Sequence, residues 1–346
     1  MLVCKFKNKN KMGGLALKNT PTRRYQRDEF DVISVELLDI LKKSFKRVTM
    51  PLFYSNKESF GDADILVSTE GFNLPMREYI VETFNPNEIF HNGNCWSFDY
   101  KELQVDVITV SAEDFDSNEM YLSYNDLGNF IGRIAQGFGL KYGQEGLWYE
   151  HYFKGMNIGR IQISKNYRDI YKFLGLSYER WEQGFEELED IFEYIATSPY
   201  FNWDSFQLSR LNKVNRERNF KRKSYMSFLE WIDKNVADDD HLYEFKKITY
   251  TDKSAYLDMI DESFPDANLS MEIRRLEYLE CKKLYIKSKF NGGDVMRKYN
   301  ITGKELGDAL TGFKNSFGDG VYEEFIIRNE PDTIYHKFEL YLNKNK

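Results

Sequence analysis

Two aspartates separated by one residue stand at the start of an apolar segment. Asp62 and Asp64 lie in the run Gly61-Asp62-Ala63-Asp64-Ile65-Leu66-Val67. In a strand, residues two apart point to the same face, so both carboxylates would share one side of a sheet. At about 5 Å and an effective dielectric near 20, two such charges repel by roughly 3 kcal/mol. A divalent cation with oxygen ligands would offset that repulsion.

A third aspartate lies in a later apolar run. Asp106 is the one acid within Leu103-Gln104-Val105-Asp106-Val107-Ile108-Thr109-Val110. On a strand beside the first, it would meet Asp62 and Asp64, and three carboxylates can hold two Mg²⁺ ions, with Mn²⁺ as a substitute. One ion would lower the pKa of an attacking hydroxyl and the other would hold a triphosphate. The alternative is that the Gly-Asp pair forms a turn and Asp106 faces solvent.

Positive charge is concentrated in two segments of an acidic chain. Residues 1–27 carry +8 with no acid, so a net charge of −7 leaves −15 for the rest, and residues 210–223 carry +6. Such runs can be solvated faces, or they can contact a phosphate backbone. The candidates for nucleic-acid contact are Arg23, Arg24, Lys213, Arg216, Arg218, Lys221, Arg222 and Lys223. A run of three aspartates at 238–240 is expected to be a solvated loop.

Hydrophobic periodicity predicts an α+β fold in which a mixed α/β half precedes a mainly helical half. The predicted segments are helices at 28–48, 75–84 and 125–138 and strands at 48–54, 63–68, 95–100 and 103–110. Helical periodicity dominates from about 165, a capping box is expected at 302–305, and segments 321–327 and 333–342 are ambiguous. The predicted organisation is a basic arm at 1–27, an α/β domain at 28–165 and a helical domain at 166–346.

The aspartate motifs resemble the nucleotidyltransferase palm of the DNA polymerase beta superfamily. Residues 57–67 are similar to that superfamily's Gly-Asp-x-Asp-hydrophobic segment, and Val105-Asp106-Val107 to its third-acid strand. The resemblance covers about residues 28–150 and implies a small mixed sheet with flanking helices. It also implies that Asp62 and Asp64 bind both metals, and that Asp106 orients and deprotonates a 3′-hydroxyl.

The sequence departs from the superfamily at the turn that precedes the acids. Members usually have Gly-Ser there, whereas this chain has Tyr54-Ser55. Ser55 and Lys57 are the candidates for phosphate contact, and Arg133 is the candidate for the base or sugar. Residues 290–295 and 301–307 faintly resemble the helical body of tRNA nucleotidyltransferases and bacterial poly(A) polymerases, but the paired Asp-Arg template of CCA-adding enzymes is not found.

The expected function is Mg²⁺-dependent transfer of a nucleoside monophosphate from an NTP or dNTP to the 3′ end of RNA, tRNA or DNA. Two alternatives remain open: a small-molecule or protein acceptor, which the acidic bulk charge favours, and a non-catalytic nucleic-acid-binding protein with a relic fold. Three widely spaced cysteines and the lack of an apolar leader predict a reducing, cytoplasmic location without membrane spans. The composition, rich in Lys, Asn, Tyr and Phe, hints at an AT-rich and viral origin.

Overall fold

The computed structural model describes residue 14 and residues 16–236, 242–318 and 320–344. The aspartate run at 238–240 and most of the basic arm therefore lie outside the described residues. Contacts divide the chain into two compact units, residues 1–150 with 160–267, and residues 151–159 with 268–346. The segment boundaries drawn from the sequence stay predictions beside this division.

A five-stranded mixed sheet forms the centre of the first unit. Its spatial order is β2-β4-β7-β6-β5. The neighbours β4 and β7 are parallel, and the other pairs are antiparallel. The strands are β2 (Val48–Thr49), β4 (Asp62–Ser68), β5 (Ile89–Asn92), β6 (Cys95–Tyr100) and β7 (Leu103–Val110).

The two faces of this sheet bury different side chains. Ala63, Ile65 and Val67 of β4 share a core with Phe30 and Leu37 of the first helix. Their alternate neighbours, including Leu66 and Ile108, pack with Phe115 in a separate smaller cluster. Because strand side chains alternate, this smaller cluster and the aspartates at 62, 64 and 106 lie on the same face of the sheet.

Ten described α-helices and a two-stranded sheet also belong to the first unit, and a further three-stranded sheet includes residues from the segment 151–159 that is assigned to the second unit. The short strands β1 (Tyr25–Gln26) and β3 (Ser59–Phe60) pair, and β8 (Leu140–Gly143), β9 (Gly146–Phe153) and β10 (Met156–Ser164) form a sheet in the order β10-β9-β8. The helices are α1 (Arg27–Lys42), α2 (Met76–Phe84), α3 (Phe115–Leu122), α4 (Leu127–Gly137), α5 (Tyr167–Phe173), α6 (Tyr178–Glu182), α7 (Leu188–Ala196), α8 (Lys213–Phe220), α9 (Lys223–Asn235) and α10 (Leu257–Ser263).

The second unit holds five helices with their own core. They are α11 (Leu269–Lys289), α12 (Gly292–Tyr299), α13 (Gly303–Asn315), α14 (Val321–Arg328) and α15 (Pro331–Lys344). Phe290, Phe313 and Phe338 are buried together at its centre. Thr302 precedes α13 as expected, but its side chain makes no capping hydrogen bond. Over the described residues, no helix has the length and apolar character needed to cross a bilayer.

The α+β fold class is confirmed. The strands expected at 95–100 and 103–110 have those bounds, while the strand expected at 48–54 is only two residues long. Helix α1 ends at Lys42, six residues before the predicted end at 48. Strands β8 to β10 were not predicted, and both ambiguous C-terminal segments are helices.

Candidate active site

The three aspartates lie on adjacent parallel strands, on one face of the sheet. Asp64 of β4 is paired in register with Asp106 of β7, and Asp62 is paired with Gln104. Residues paired in this way point to the same side, because the pleats of neighbouring strands are in phase. Asp62 and Asp64 are exposed and Asp106 is half-buried. The strand register therefore places the three residues on one face of the sheet, while a shared metal site and their chemical roles stay predictions.

The carboxyls repel one another, and the surrounding protein disfavours their charges. Burial, with the negative charges of Asp62 and Asp106, raises the pKa of Asp64 to about 8. Burial also raises the pKa of Asp106 to about 6, with a further contribution from Asp62. Burial raises the pKa of Asp62, although the charges of Lys57 and Arg24 oppose that shift. Solvent reaches the Asp62 and Asp64 side chains and screens part of this effect. The raised pKa values favour the protonated carboxyls, and a bound cation would instead favour their ionised forms.

Two polar side chains hold the carboxylate of Asp106. The Nε2 atom of Gln104 donates to its Oδ1 and Oδ2 atoms at 3.0 and 3.1 Å, and Ser97 of β6 contributes another hydrogen bond. Gln104 is only 2% exposed. Its own Oε1 accepts from the backbone N–H of Ala16 at 3.0 Å, so the N-terminal segment fixes the amide that orients the third acid.

The donor set fits a hard divalent cation in its chemistry. Three carboxylates on one face supply oxygen ligands, which Mg²⁺ and Mn²⁺ prefer. In the side-chain positions of the described residues, no group of three or more His, Cys, Asp or Glu residues is close enough to hold a metal ion. Ligation by all three acids therefore requires their side chains to move closer together.

Two connected cavities adjoin the aspartates. A recess of about 160 Å³, here the carboxylate recess, is lined by Asp62, Asp64, Lys57, Leu122 and Asn125 among others. A larger cleft of about 780 Å³, here the cationic cleft, shares Asp62, Lys57 and Asn125 with that recess. Arg24, Lys57, Arg222 and Lys223 also line the cationic cleft. The same cleft is lined by the acids Glu58, Asp62 and Asp126, so the four cations leave a small positive excess beside the aspartates. Lysine and arginine side chains in such a position can bind phosphates.

The loop that carries the phosphate candidates Ser55 and Lys57 is held by backbone hydrogen bonds. The N–H groups of Ser55 and Asn56 donate to the carbonyls of Phe185 and Glu186 at 2.9 and 2.8 Å. These two amides are therefore engaged, unlike the free amides of a Gly-Ser phosphate turn. Lys57 lines both cavities, and burial lowers its pKa while Asp62 and Asp64 oppose the shift. Any phosphate contact from this loop would come from side chains.

The segment that begins α9 is fixed to the start of α4. The buried side chain of Asp126 accepts hydrogen bonds from Arg222 and Ser224. All three residues line the cationic cleft. This contact places Arg222 and Lys223 across the cleft from Asp62, so the second basic run contributes directly to the site.

Arg23 and Arg133 make their contacts away from the two cavities, whereas Arg24 lines the cationic cleft. Arg23 pairs with Glu29 and Glu102 at 2.8 and 3.3 Å, and Arg24 donates to the backbone oxygen of Ser59 at 2.8 Å while lining the cleft. Arg133 donates to the backbone oxygen of Ser205 and to Gln136 and lines neither cavity. Arg133 thus contacts the 203–206 turn, and its contact with a nucleotide stays a prediction.

Helix α8 presents unpaired positive charge. Lys213, Arg216 and Lys221, which cap or lie on this helix, are exposed, and no described carboxylate lies within ion-pair distance of them. Phe220 on the same helix is 65% exposed. Arg218 differs, since it donates to Oδ1 of Asn129 at 3.4 Å. Exposed cations beside an exposed aromatic ring are typical of a nucleic-acid contact surface.

The sequence analysis did not identify Gln104, Asn125 and Asp126 as candidate site residues. Gln104 could have been found from its place two residues before Asp106, which puts both on one face of a strand. Asn125 and Asp126 carry no motif, and only the fold brings them to the cavities. No protein-family model matches this sequence, and no curated protein matches it with significance.

Proposed function

We propose that the protein is a divalent-metal-dependent nucleotidyltransferase that moves a nucleoside monophosphate from an NTP or dNTP to the 3′-hydroxyl of a nucleic acid. One observation carries the proposal: Asp62 and Asp64 stand in register beside Gln104 and Asp106 on parallel strands, and Asp62 lines a cleft together with four cations. Such a pairing of acids and cations suits a metal-bound triphosphate.

Different residues of the chain would bind the metal, the triphosphate and the acceptor hydroxyl. Asp62, Asp64 and Asp106 would hold Mg²⁺, which when bound would activate the attacking hydroxyl and stabilise the leaving pyrophosphate. Lys57, Arg24, Arg222 and Lys223 would bind the triphosphate oxygens. Gln104 and Ser97 would keep the Asp106 carboxylate aimed at the acceptor hydroxyl.

The exposed cations of α8 favour a nucleic-acid acceptor over a small molecule or protein. Lys213, Arg216 and Lys221 have no described acidic partner and are available for backbone phosphates. A small acceptor bound within the cleft would not contact this surface. Acceptor identity follows from which labelled product forms when tRNA, single-stranded RNA, primed DNA, protein and small hydroxyl compounds are offered separately.

A transfer assay with each NTP and dNTP and Mg²⁺ tests the proposal. The Asp106→Asn variant keeps a group that Gln104 can hydrogen-bond but removes the charge, so we expect transfer to fall by at least about a thousandfold with the melting temperature preserved. Asp99→Asn, which alters a buried β6 carboxylate bonded to Asn87 and Glu88, is the control. Full activity of Asp106→Asn would refute the assignment.

A further inference from the structure

A third cavity opens beside the two that adjoin the aspartates. It has a volume of about 540 Å³ and lies among α3, α4, α8 and the β8–β10 sheet. We refer to it as the Trp148 cavity. Its lining includes Tyr121, Asn125, Asn129, Trp148, Arg160 and Arg218. No residue predicted from the aspartate motifs lies in it.

Asn125 borders all three cavities. It lines the carboxylate recess with Asp62 and Asp64, the cationic cleft with Arg222, and the Trp148 cavity. The α-phosphate of a nucleoside triphosphate lies between the nucleoside on one side and the outer phosphates on the other, and its reacting phosphorus would lie beside the acids. With the outer phosphates in the cationic cleft and the α-phosphate beside Asp62 and Asp64, the remaining branch leads into the Trp148 cavity.

The backbone at this junction is held in a conformation that costs free energy. Tyr124 and Asn125 both have φ near +60°. Asparagine tolerates this left-handed region, but a tyrosine enters it only where packing enforces it. Tyr124 is buried, its N–H donates to Leu52 at 2.6 Å, and its ring contacts Phe185 edge-on. This packing presents Asn125 to the three cavities.

The Trp148 cavity offers surfaces on which a base can stack. The guanidinium of Arg160 lies 4.2 Å from the centroid of the Trp148 ring. Arg160 is kept there by Glu145 at 3.1 Å. Indole rings and guanidinium planes are the groups on which proteins commonly stack unpaired bases.

Two hydrogen-bond donors on the lining lack partners among the described residues. These are Nδ2 of Asn129 and Nε1 of Trp148, both buried. Arg218 approaches Asn129 only on its oxygen side, at 3.4 Å. A buried donor without a partner is costly, and a base edge with carbonyl or ring-nitrogen acceptors would satisfy it after a small side-chain movement.

We propose that the Trp148 cavity binds the nucleoside of the donor nucleotide, with the base stacked against Trp148 or Arg160 and its polar edge hydrogen-bonded to Asn129. The proposal rests on the proposed function and extends it by assigning base recognition to α4 and to the sheet of β8 to β10. Discrimination among bases then depends on Asn129 rather than on the aspartate motifs.

Calorimetric binding without acceptor tests the assignment. The ligands are each NTP, each dNTP and inorganic tripolyphosphate, all in Mg²⁺. Trp148→Ala is expected to weaken binding of the preferred nucleotide about tenfold or more, because base stacking is lost, and to leave tripolyphosphate binding unchanged. Trp148→Phe, which keeps a ring, is expected to retain binding within about threefold. Trp96→Ala is the control, since Trp96 stacks on His91 and lines none of the three cavities.

The outcomes separate this inference from the proposed function. Equal nucleotide affinity of Trp148→Ala and the unaltered protein overturns the cavity assignment while nucleotide binding itself stands. Absence of any nucleotide binding by the unaltered protein overturns both. Photo-crosslinking with an azido-base nucleotide covers the case of a poorly folded variant. Label within residues 121–129 or 141–150, or on Arg160 or Arg218, supports the cavity, and label confined elsewhere overturns it.

Discussion

At the scale of single residues, the orientation of Asp106 depends on a neutral neighbour. Gln104 is buried between the N-terminal segment and the third acid, and its amide reaches both carboxylate oxygens. A methyl group at position 14 would collide with the Gln104 side chain, because a Cβ atom on Gly14 would stand only 2.3 Å from it. The absence of a side chain at Gly14 therefore allows the backbone of the N-terminal segment to approach the Gln104 amide closely.

We predict that Gln104→Leu lowers kcat about 10- to 100-fold, as loss of an outer-shell hydrogen bond to a metal ligand commonly does. The nucleotide KM should stay nearly constant, because the cationic cleft is untouched. Steady-state kinetics at saturating Mg²⁺ give the two constants. Asn329→Leu removes an amide that donates to the backbone oxygen of Phe325 in the second unit, outside the three cavities, and serves as the control. A parallel rise in KM would instead indicate general disruption of the site.

At the scale of elements, strand geometry was predictable and cavity geometry was not. The alternation of apolar residues around Asp62, Asp64 and Asp106 predicts that all three share one face, and the register of β4 and β7 bears this out. The sequence could not reveal that the amides of the 54–57 loop donate to residues 185 and 186. Nor did it reveal β8 to β10, whose Gly, Lys and polar residues interrupt the alternation that marks strands. Contacts between distant segments decide such features.

The exposed cations of helix α8 are predicted to bind the acceptor nucleic acid. Replacing Lys213, Arg216 and Lys221 by alanine should weaken acceptor binding and lower the salt slope by about two units if all three contact a single strand. Nucleotide affinity should not change, because these residues lie outside the cationic cleft. Fluorescence anisotropy of a labelled oligonucleotide over a salt series measures the slope.

Replacing the exposed cations Lys42, Lys43 and Arg77 by alanine removes three positive charges elsewhere on the first unit. This variant is the matched control, because it changes the net charge by the same amount and leaves α8 unaltered. An equal loss of slope in both variants would attribute the effect to overall charge, and α8 would then be a solvated face.

At the scale of the whole molecule, the aspartate cluster should reduce stability where it is ionised. The pKa of Asp64 is raised from 3.8 to about 8 by burial and by the charges of Asp62 and Asp106. Between about pH 4 and pH 8 the folded protein therefore holds more protons than the unfolded chain, and its free energy of unfolding falls as pH rises. Groups with lowered pKa values, such as Glu29, act in the opposite direction. Only a comparison of variants isolates the cluster.

Asp64→Asn removes one of the repelling charges, so we predict a higher melting temperature than the unaltered protein at pH 8 in chelator. The gain should be about 1 kcal/mol, or some 2–4 °C, after allowance for the solvent that reaches this side chain. At pH 4 the difference should be much smaller, because the Asp64 carboxyl is then neutral in the folded state and only partly ionised in the unfolded chain. Mg²⁺ at pH 8 should stabilise the unaltered protein more than the variant, since the ion binds the ionised carboxylates. Thermal melts at both pH values measure all three effects, and a difference that is the same at pH 4 and pH 8 would show that it does not arise from the Asp64 charge.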